Sequence, residues 1–395
     1  WGTASLTLFG ATVLGFVLHA RYGYRAGRGD HMVLSPLGLH WADPGYFAGD
    51  WFIREAPQPH WLFDVVTWFG ASIGQLAVVY FAYWVLSLLV FGYATAVLAR
   101  AWAPRHPAVA TGLVTLLAGV TPWWLLGTGS PLYPQALPVV LGGALLYLTL
   151  AALLTDRRVL AVVAAVATAL VHVQQGLVVA VLLLAMVVWR LASARTVDRL
   201  YLAGTALVGG VVHGALTARP VVGDLDQFAQ VCRELIPYHC EASAWPGSHV
   251  IAGFAMVAMA LLTVCHQERG TRGRWAVVVA LPAVGLVAGV LADRYDVPVL
   301  GVAAQGLNVY RLGALMVVLC CWGVLAPVFG ALSPLWRVVL AVVVVGLGWL
   351  VTGIREWESR PAIPEHGGPW LLVFVAGLAI AVAAGGVRGR RRSRA

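Results

Sequence analysis

Apolar residues fall in long unbroken runs along this chain, near 4–20, 75–99, 107–127, 134–154, 159–172, 176–189, 200–217, 249–266, 275–292, 308–331, 337–353 and 369–387. A helix needs about 20 apolar residues to cross a bilayer, so most of these runs are long enough to be read as spans. They are continuous rather than alternating, which excludes strands of a barrel. The pattern predicts an all-α polytopic membrane protein of about twelve spans, folded as a single transmembrane domain over residues 1–395. No repeat or linker divides it. The first residue is Trp1 rather than Met, so a preceding segment is expected, and the run at 4–20 reads as a helix rather than a signal peptide.

One run is ambiguous. Residues 159–189 are apolar except for His172-Val173-Gln174-Gln175-Gly176. A single helix would put Arg157 and Arg158 on the opposite side of the membrane from Arg190, Arg195 and Arg199. Two short helices meeting at His172 keep both clusters on one side, so a hairpin of two limbs, each shorter than a standard span, is expected.

Composition agrees with the pattern. Of the residues, 60% are hydrophobic and 11% charged, far from the soluble norm of about 25% charged. All 26 basic residues are Arg, against 17 acids. Placing the terminal cluster Arg388, Arg390, Arg391, Arg392 and Arg394 in the cytoplasm assigns 16 of the arginines to that side. The basic excess is therefore a topology signal, and a nucleic-acid partner is not expected. A multi-pass protein of the inner (plasma) membrane with a cytoplasmic C-terminus follows, and the Arg-only basic set suggests a GC-rich bacterial source.

Two extracytoplasmic loops are then long enough to be structured. The first, 21–74, carries Asp30, His31, His40, Asp43, Asp50 and Glu55 among Trp41, Tyr46, Phe47, Trp51 and Phe52, and its second half is expected to lie along the interface as a helix. Carboxylates there suit a general base, a cation site or a sugar or headgroup site, and equally the polar face and aromatic belt of an ordinary outer loop. The second, 219–248, contains Cys232 and Cys240, whose short spacing on the oxidising side reads as a disulfide or, less simply, as part of a zinc site lacking a fourth ligand. Cys265, Cys320 and Cys321 read as small apolar residues, and His213 as a core histidine.

Polar groups within spans are costly and each invites a role. Arg311 suits an anionic group such as a lipid phosphate, or a snorkelling position, and His172, Gln174 and Gln175 either line the same cavity or satisfy the helix break. No nucleotide-binding loop, serine elbow or paired zinc histidines occur, so energy must come from an activated substrate or an ion gradient.

With Asp30-His31 just beyond the first span, the stretch Ala42-Asp43-Pro44-Gly45-Tyr46-Phe47-Ala48-Gly49-Asp50-Trp51, and Pro237-Tyr238-His239 in the second loop, the chain resembles the GT-C class of membrane glycosyltransferases. The resemblance implies transfer of a sugar from a polyprenyl-phosphate donor on the extracytoplasmic face, in cell-envelope glycan assembly. It implies Asp30, or else Asp50, as catalytic base, and His31, Asp43, His172, Gln175, Arg233, His239 and Arg311 around the substrate. No metal ligand set is assigned, although a divalent cation is compatible with the class, and the partners expected are the lipid-linked donor and membrane lipid. The class's acidic pair is here Asp30-His31, an acid followed by a histidine. The competing expectation is a transporter or flippase for a lipid-linked or small anionic substrate.

Overall fold

A backbone that cannot reach water must bond to itself, and this chain does so by helix nearly throughout. The computed structural model describes residues 1–55, 59–120, 132–218, 241–245, 247–265, 267–307 and 309–331, with isolated positions 227, 230, 231 and 234. Its helices are α1 (Thr3–Tyr22), α2 (His31–Leu34), α3 (Pro36–Ala42), α4 (Trp51–Glu55), α5 (Trp61–Ser72), α6 (Leu76–Trp102), α7 (Pro107–Val120), α8 (Pro138–Leu154), α9 (Arg158–Val171), α10 (Val173–Ala194), α11 (Arg199–Thr217), α12 (Gly247–Cys265), α13 (Arg269–Arg294), α14 (Leu300–Leu307) and α15 (Leu312–Ala331). Among the described residues there is no strand.

Among the described residues, five helical stretches are long and apolar enough to cross a membrane: Thr3–Ala20 within α1, then α6, α10, α11 and α13. Several carry large apolar side chains outward, including Leu8, Val78, Phe81, Val188, Leu207 and Val284. A helix that is apolar on its outer as well as its inner face belongs in lipid. Helices α7, α8 and α9 are apolar but shorter. The runs at 337–353 and 369–387, the C-terminal arginines, and most of the 219–248 loop lie outside the described residues.

Helix α6 forms the spine of one half, packed by α1 and α8, while α1 also packs on α7. The other half joins α12 to α15 and α13, and α13 lies against α10. The two halves meet where α7 touches α15 and α8 touches α10 and α13.

Between α9 and α10 the chain breaks at one residue. His172 takes extended backbone angles, donating its N–H to the Thr168 carbonyl at 2.8 Å and accepting from the Gly176 N–H at 2.8 Å, so it makes the last bond of one helix and the first of the next. A side chain at Gly176 would stand 2.7 Å from the Ala169 backbone, and glycine is what lets the limbs approach there. The far ends meet again at Asp198, whose Oδ2 lies 3.3 Å from Arg158 and 3.6 Å from Arg190. Arg158 and Arg190 therefore share one end of the structure, as a hairpin requires. Its limbs are unequal, however. The first has 14 residues, about 21 Å, while the second runs 22 residues and is long enough to cross, because its helix starts directly at Val173.

Asp198 also caps α11, its Oδ1 accepting from the N–H groups of Leu200 at 3.2 Å and Tyr201 at 3.3 Å. Replacing it removes a cap worth about 1 kcal/mol and leaves two arginines without their shared carboxylate. Asp198→Ala should lower the melting temperature in detergent by several degrees. Asp198→Asn, which keeps the cap, should cost clearly less, and equal losses for the two would place the weight on the ion pairs instead.

Candidate functional site

The end of the bundle opposite Asp198 gathers the polar groups. In the first loop, Ser35 and Thr67 each place a hydroxyl 2.7 Å from the Tyr80 hydroxyl, which fastens α3 and α5 to α6. Helix α5 buries Phe63, Asp64, Thr67 and Gly70 and leaves Trp61, Val65, Trp68 and Phe69 exposed on its other face.

A strap at 132–137, not recognised in the sequence, crosses this end and is stitched to the loop. The Arg25 N–H donates to the Pro134 carbonyl at 2.9 Å, Gln135 donates to the Arg28 carbonyl, and the Trp84 indole N–H donates to the Tyr133 carbonyl at 2.9 Å. His31 is the central stitch. Its Nε2 meets the Ala136 carbonyl at 2.7 Å and its Nδ1 accepts from the Gly27 N–H at 2.9 Å, which fixes the proton on Nε2. Burial holds its imidazole below the usual histidine range, opposed by the bond to Ala136 and the nearby Asp30 charge. Both ring nitrogens are engaged within the protein, so His31 orients the loop, and Asp30-His31 does not form a two-ligand cation site. Among the described residues no group of three or more His, Cys, Asp or Glu stands close enough to hold a metal ion.

Asp30 precedes this anchor and its side chain is exposed. Arg311 lies in the 3-10 turn Val309–Arg311 that leads into α15. Asp30 and Tyr133 lie within electrostatic reach of the guanidinium, yet no ion pair joins Asp30 to Arg311. Arg311 meets His172, with Nη1 and Nε2 3.3 Å apart. The Gln175 N–H points at the other ring nitrogen of His172, at 3.4 Å. A neutral imidazole has one acceptor nitrogen, so two N–H donors compete for it. The buried Nε of Arg311 has no hydrogen-bond partner at all. Arg311 is thus a cation short of acceptors.

His60, unremarked in the sequence, completes the cluster. Its ring packs on that of His172 with centroids 4.7 Å apart. Burial, and then the Arg311 charge, push its imidazole down to about 4, against the opposing effect of the Val171 carbonyl. The cluster thus sets the Arg311 guanidinium beside two imidazoles, those of His60 and His172.

A second network holds the Arg311 turn. Asp293, buried at the end of α13, accepts from the Tyr310 hydroxyl at 2.6 Å, from the Gln305 amide, and from the Ala242 N–H. Arg294 beside it donates to the carbonyls of Ala242 at 3.0 Å and Trp245 at 3.2 Å, and Trp245 meets the Tyr310 ring edge-on. The end of the second loop is tied in this way to the turn that carries Arg311.

Two cavities flank the guanidinium. The smaller, about 30 Å³, is lined by Tyr133, Gln175, Arg311, Phe91, Tyr147 and Val318. The larger, about 220 Å³, is a groove between α10 and α13 whose walls include Val178, Val181, Leu281, Pro282 and Leu312, with Gln174, Gln175 and Arg311 as its polar members.

Of the site residues expected from the sequence, the fold brings Asp30, His172, Gln175 and Arg311 to this end together. Asp43 and Asp50 instead serve turns, Asp43 accepting from the Gly45 N–H at 2.8 Å and Asp50 from the Phe52 N–H at 2.7 Å, the latter at the start of α4. Arg233, His239, Cys232 and Cys240 lie outside the described residues. Cys321 is buried and Cys320 partly so, both as free thiols, while Cys265 is free and exposed. His213 is exposed on α11 rather than in the core, because α11 packs on α9 and α10 and leaves that face open. No protein family, curated protein or solved structure matches the chain.

The His60 shift gives a pH prediction. With its folded value near 4 and an ordinary value of 6.5, the unfolded chain binds the extra proton first as pH falls. Stability from this group is complete above pH 6.5 and is lost as pH falls toward 4. The melting temperature should drop across that window, and His60→Gln should flatten the drop; an unchanged profile would remove His60 as its source.

Proposed function

We propose that this chain is a membrane glycosyltransferase that moves a sugar from a polyprenyl-phosphate donor to an acceptor hydroxyl on the extracytoplasmic face, in a bacterial inner membrane. The observation that carries the reading is Arg311. It is an under-accepted guanidinium at the head of an apolar groove, within electrostatic reach of the exposed Asp30 carboxylate but forming no ion pair with it. A phosphate with an isoprenoid tail satisfies both features at once, its oxygens meeting Arg311 and its chain lying against α10 and α13.

In the proposed reaction Asp30 takes the proton of the acceptor hydroxyl. The acceptor oxygen forms a bond to the anomeric carbon as the bond from that carbon to the phosphate oxygen breaks. The electron pair leaves on the phosphate, where Arg311 meets the growing negative charge. Direct attack inverts the anomeric configuration. Asp30 is exposed and free of an ion pair, which leaves it reachable by an acceptor arriving from water. Asp50, the other candidate base, has one carboxylate oxygen engaged in a turn.

A transporter reading draws on the break at His172 beside the cavities. The two readings part on covalent chemistry.

The test uses purified protein with farnesyl phosphate, inorganic phosphate and farnesol as binding probes, and hexosyl farnesyl phosphates as donors. Farnesyl phosphate should bind, farnesol weakly, and inorganic phosphate should compete poorly because it lacks the tail. Strong competition by inorganic phosphate would make the ligand a free anion. Asp30→Asn should cut sugar transfer by about 10²–10⁴-fold with the fold intact. Transfer unaffected by Asp30→Asn refutes the assigned base, and uptake into proteoliposomes without transfer favours the transporter.

A further inference from the structure

Gln175 carries a second unmet demand. It is 7% exposed, and it lines both cavities beside Arg311. Its amide nitrogen donates to the Val139 carbonyl at 3.3 Å. That contact sets the orientation of the amide, because the reverse would press oxygen against oxygen. The other end, Oε1, is buried with no hydrogen-bond partner. A buried carbonyl in that condition costs about as much as a lost hydrogen bond, so the site gains from any donor brought to it. The oxygen has room only because residue 142, facing it from α8, is glycine: a β-carbon there would collide with Oε1.

The site thus presents two complementary deficits at the junction of its cavities. The Nε of Arg311 lacks an acceptor and Oε1 of Gln175 lacks a donor. A plain lipid phosphate meets the first and not the second. Both are met by a molecule that carries a hydroxyl next to its phosphate ester.

We propose that Gln175 is a specificity-determining residue that selects a glycosyl phosphoester over an unglycosylated lipid phosphate by accepting a sugar hydroxyl. This rests on the reading of Arg311 as the phosphate site and adds the part of the ligand that Arg311 does not recognise. A site built to bond a hydroxyl discriminates strongly against analogues without one, whereas an apolar groove cannot tell one lipid tail from a similar one. Discharged carrier, which has lost its sugar, would then be held less tightly than loaded donor.

The experiment measures binding of hexosyl farnesyl phosphates and of farnesyl phosphate to the same protein preparations. Gln175→Leu should weaken the hexosyl ligands about tenfold and leave farnesyl phosphate within about twofold, so that the second ligand also reports on folding. Gln175→Met, which also removes the amide, should give the same selective loss and keeps the test open should the leucine form fold poorly. Equal weakening of both ligands, or of neither, overturns the proposal, the latter meaning that Oε1 is satisfied by water. Arg311→Ala should weaken both ligands. If it weakens neither, the phosphate site itself is refuted, a result distinct from a failure of Gln175 alone.

Discussion

Two arginines sharing Asp198 set the geometry from which the rest of the site follows. Arg158 begins α9 and Arg190 lies near the end of α10, and a carboxylate within 4 Å of both holds these helix ends on one side. The chain between them must therefore turn back. It does so after only 14 residues of α9, about 21 Å, which is short of the roughly 30 Å of hydrocarbon a full crossing needs. The turn buries the imidazole of His172 and the side chain of Gln175 within the bundle, where polar groups are expensive. Everything polar at that end has to find a partner there or offer itself to a ligand.

Most of it finds partners. The helix break closes through the backbone of His172, Thr168 and Gly176. The strap at 132–137 is bonded to the first loop through His31, Gln135 and Arg25. Asp293 collects three donors and carries the second loop's end with it. The buried polar atoms without hydrogen-bond partners include Nε of Arg311, Oε1 of Gln175 and Nδ1 of His60. They cluster on the two cavities and the histidine pair. Under the proposed reading, an anion would meet the cation, a hydroxyl the carbonyl, and a hydrocarbon chain the apolar groove beside them.

Membrane physics made much of the architecture legible without coordinates. Continuous apolar runs specify helices because lipid leaves the backbone no other partner, and α1, α6, α10, α11 and α13 lie where those runs lie. The hairpin was readable from arginine alone, since the alternative separated charge clusters that the membrane keeps together. Arg311 and the His172–Gln175 stretch were visible as polar residues in apolar surroundings. The length of α10 was not, because the polar glutamines at its start looked like turn rather than first helical turn. His213 was misplaced for a related reason: a lone histidine in an apolar run says nothing about which face of its helix is covered.

By itself, the sequence determined the helical class, the membrane setting, the place where the hairpin turns and the cost of each polar residue within it, because those depend on local composition and on the solvent. Tertiary structure alone decided which polar groups meet. His60 and Tyr133 sit far along the chain from Arg311, and only packing brings them to it. Asp43 and Asp50 belong to the same acidic loop as Asp30, but the turns of that loop engage them while Asp30 lies within electrostatic reach of the guanidinium. Whether a buried polar group is a satisfied part of the frame or a vacancy for a ligand depends on its neighbours in space. A linear pattern carries the cost of burying such a group but not the identity of what relieves it.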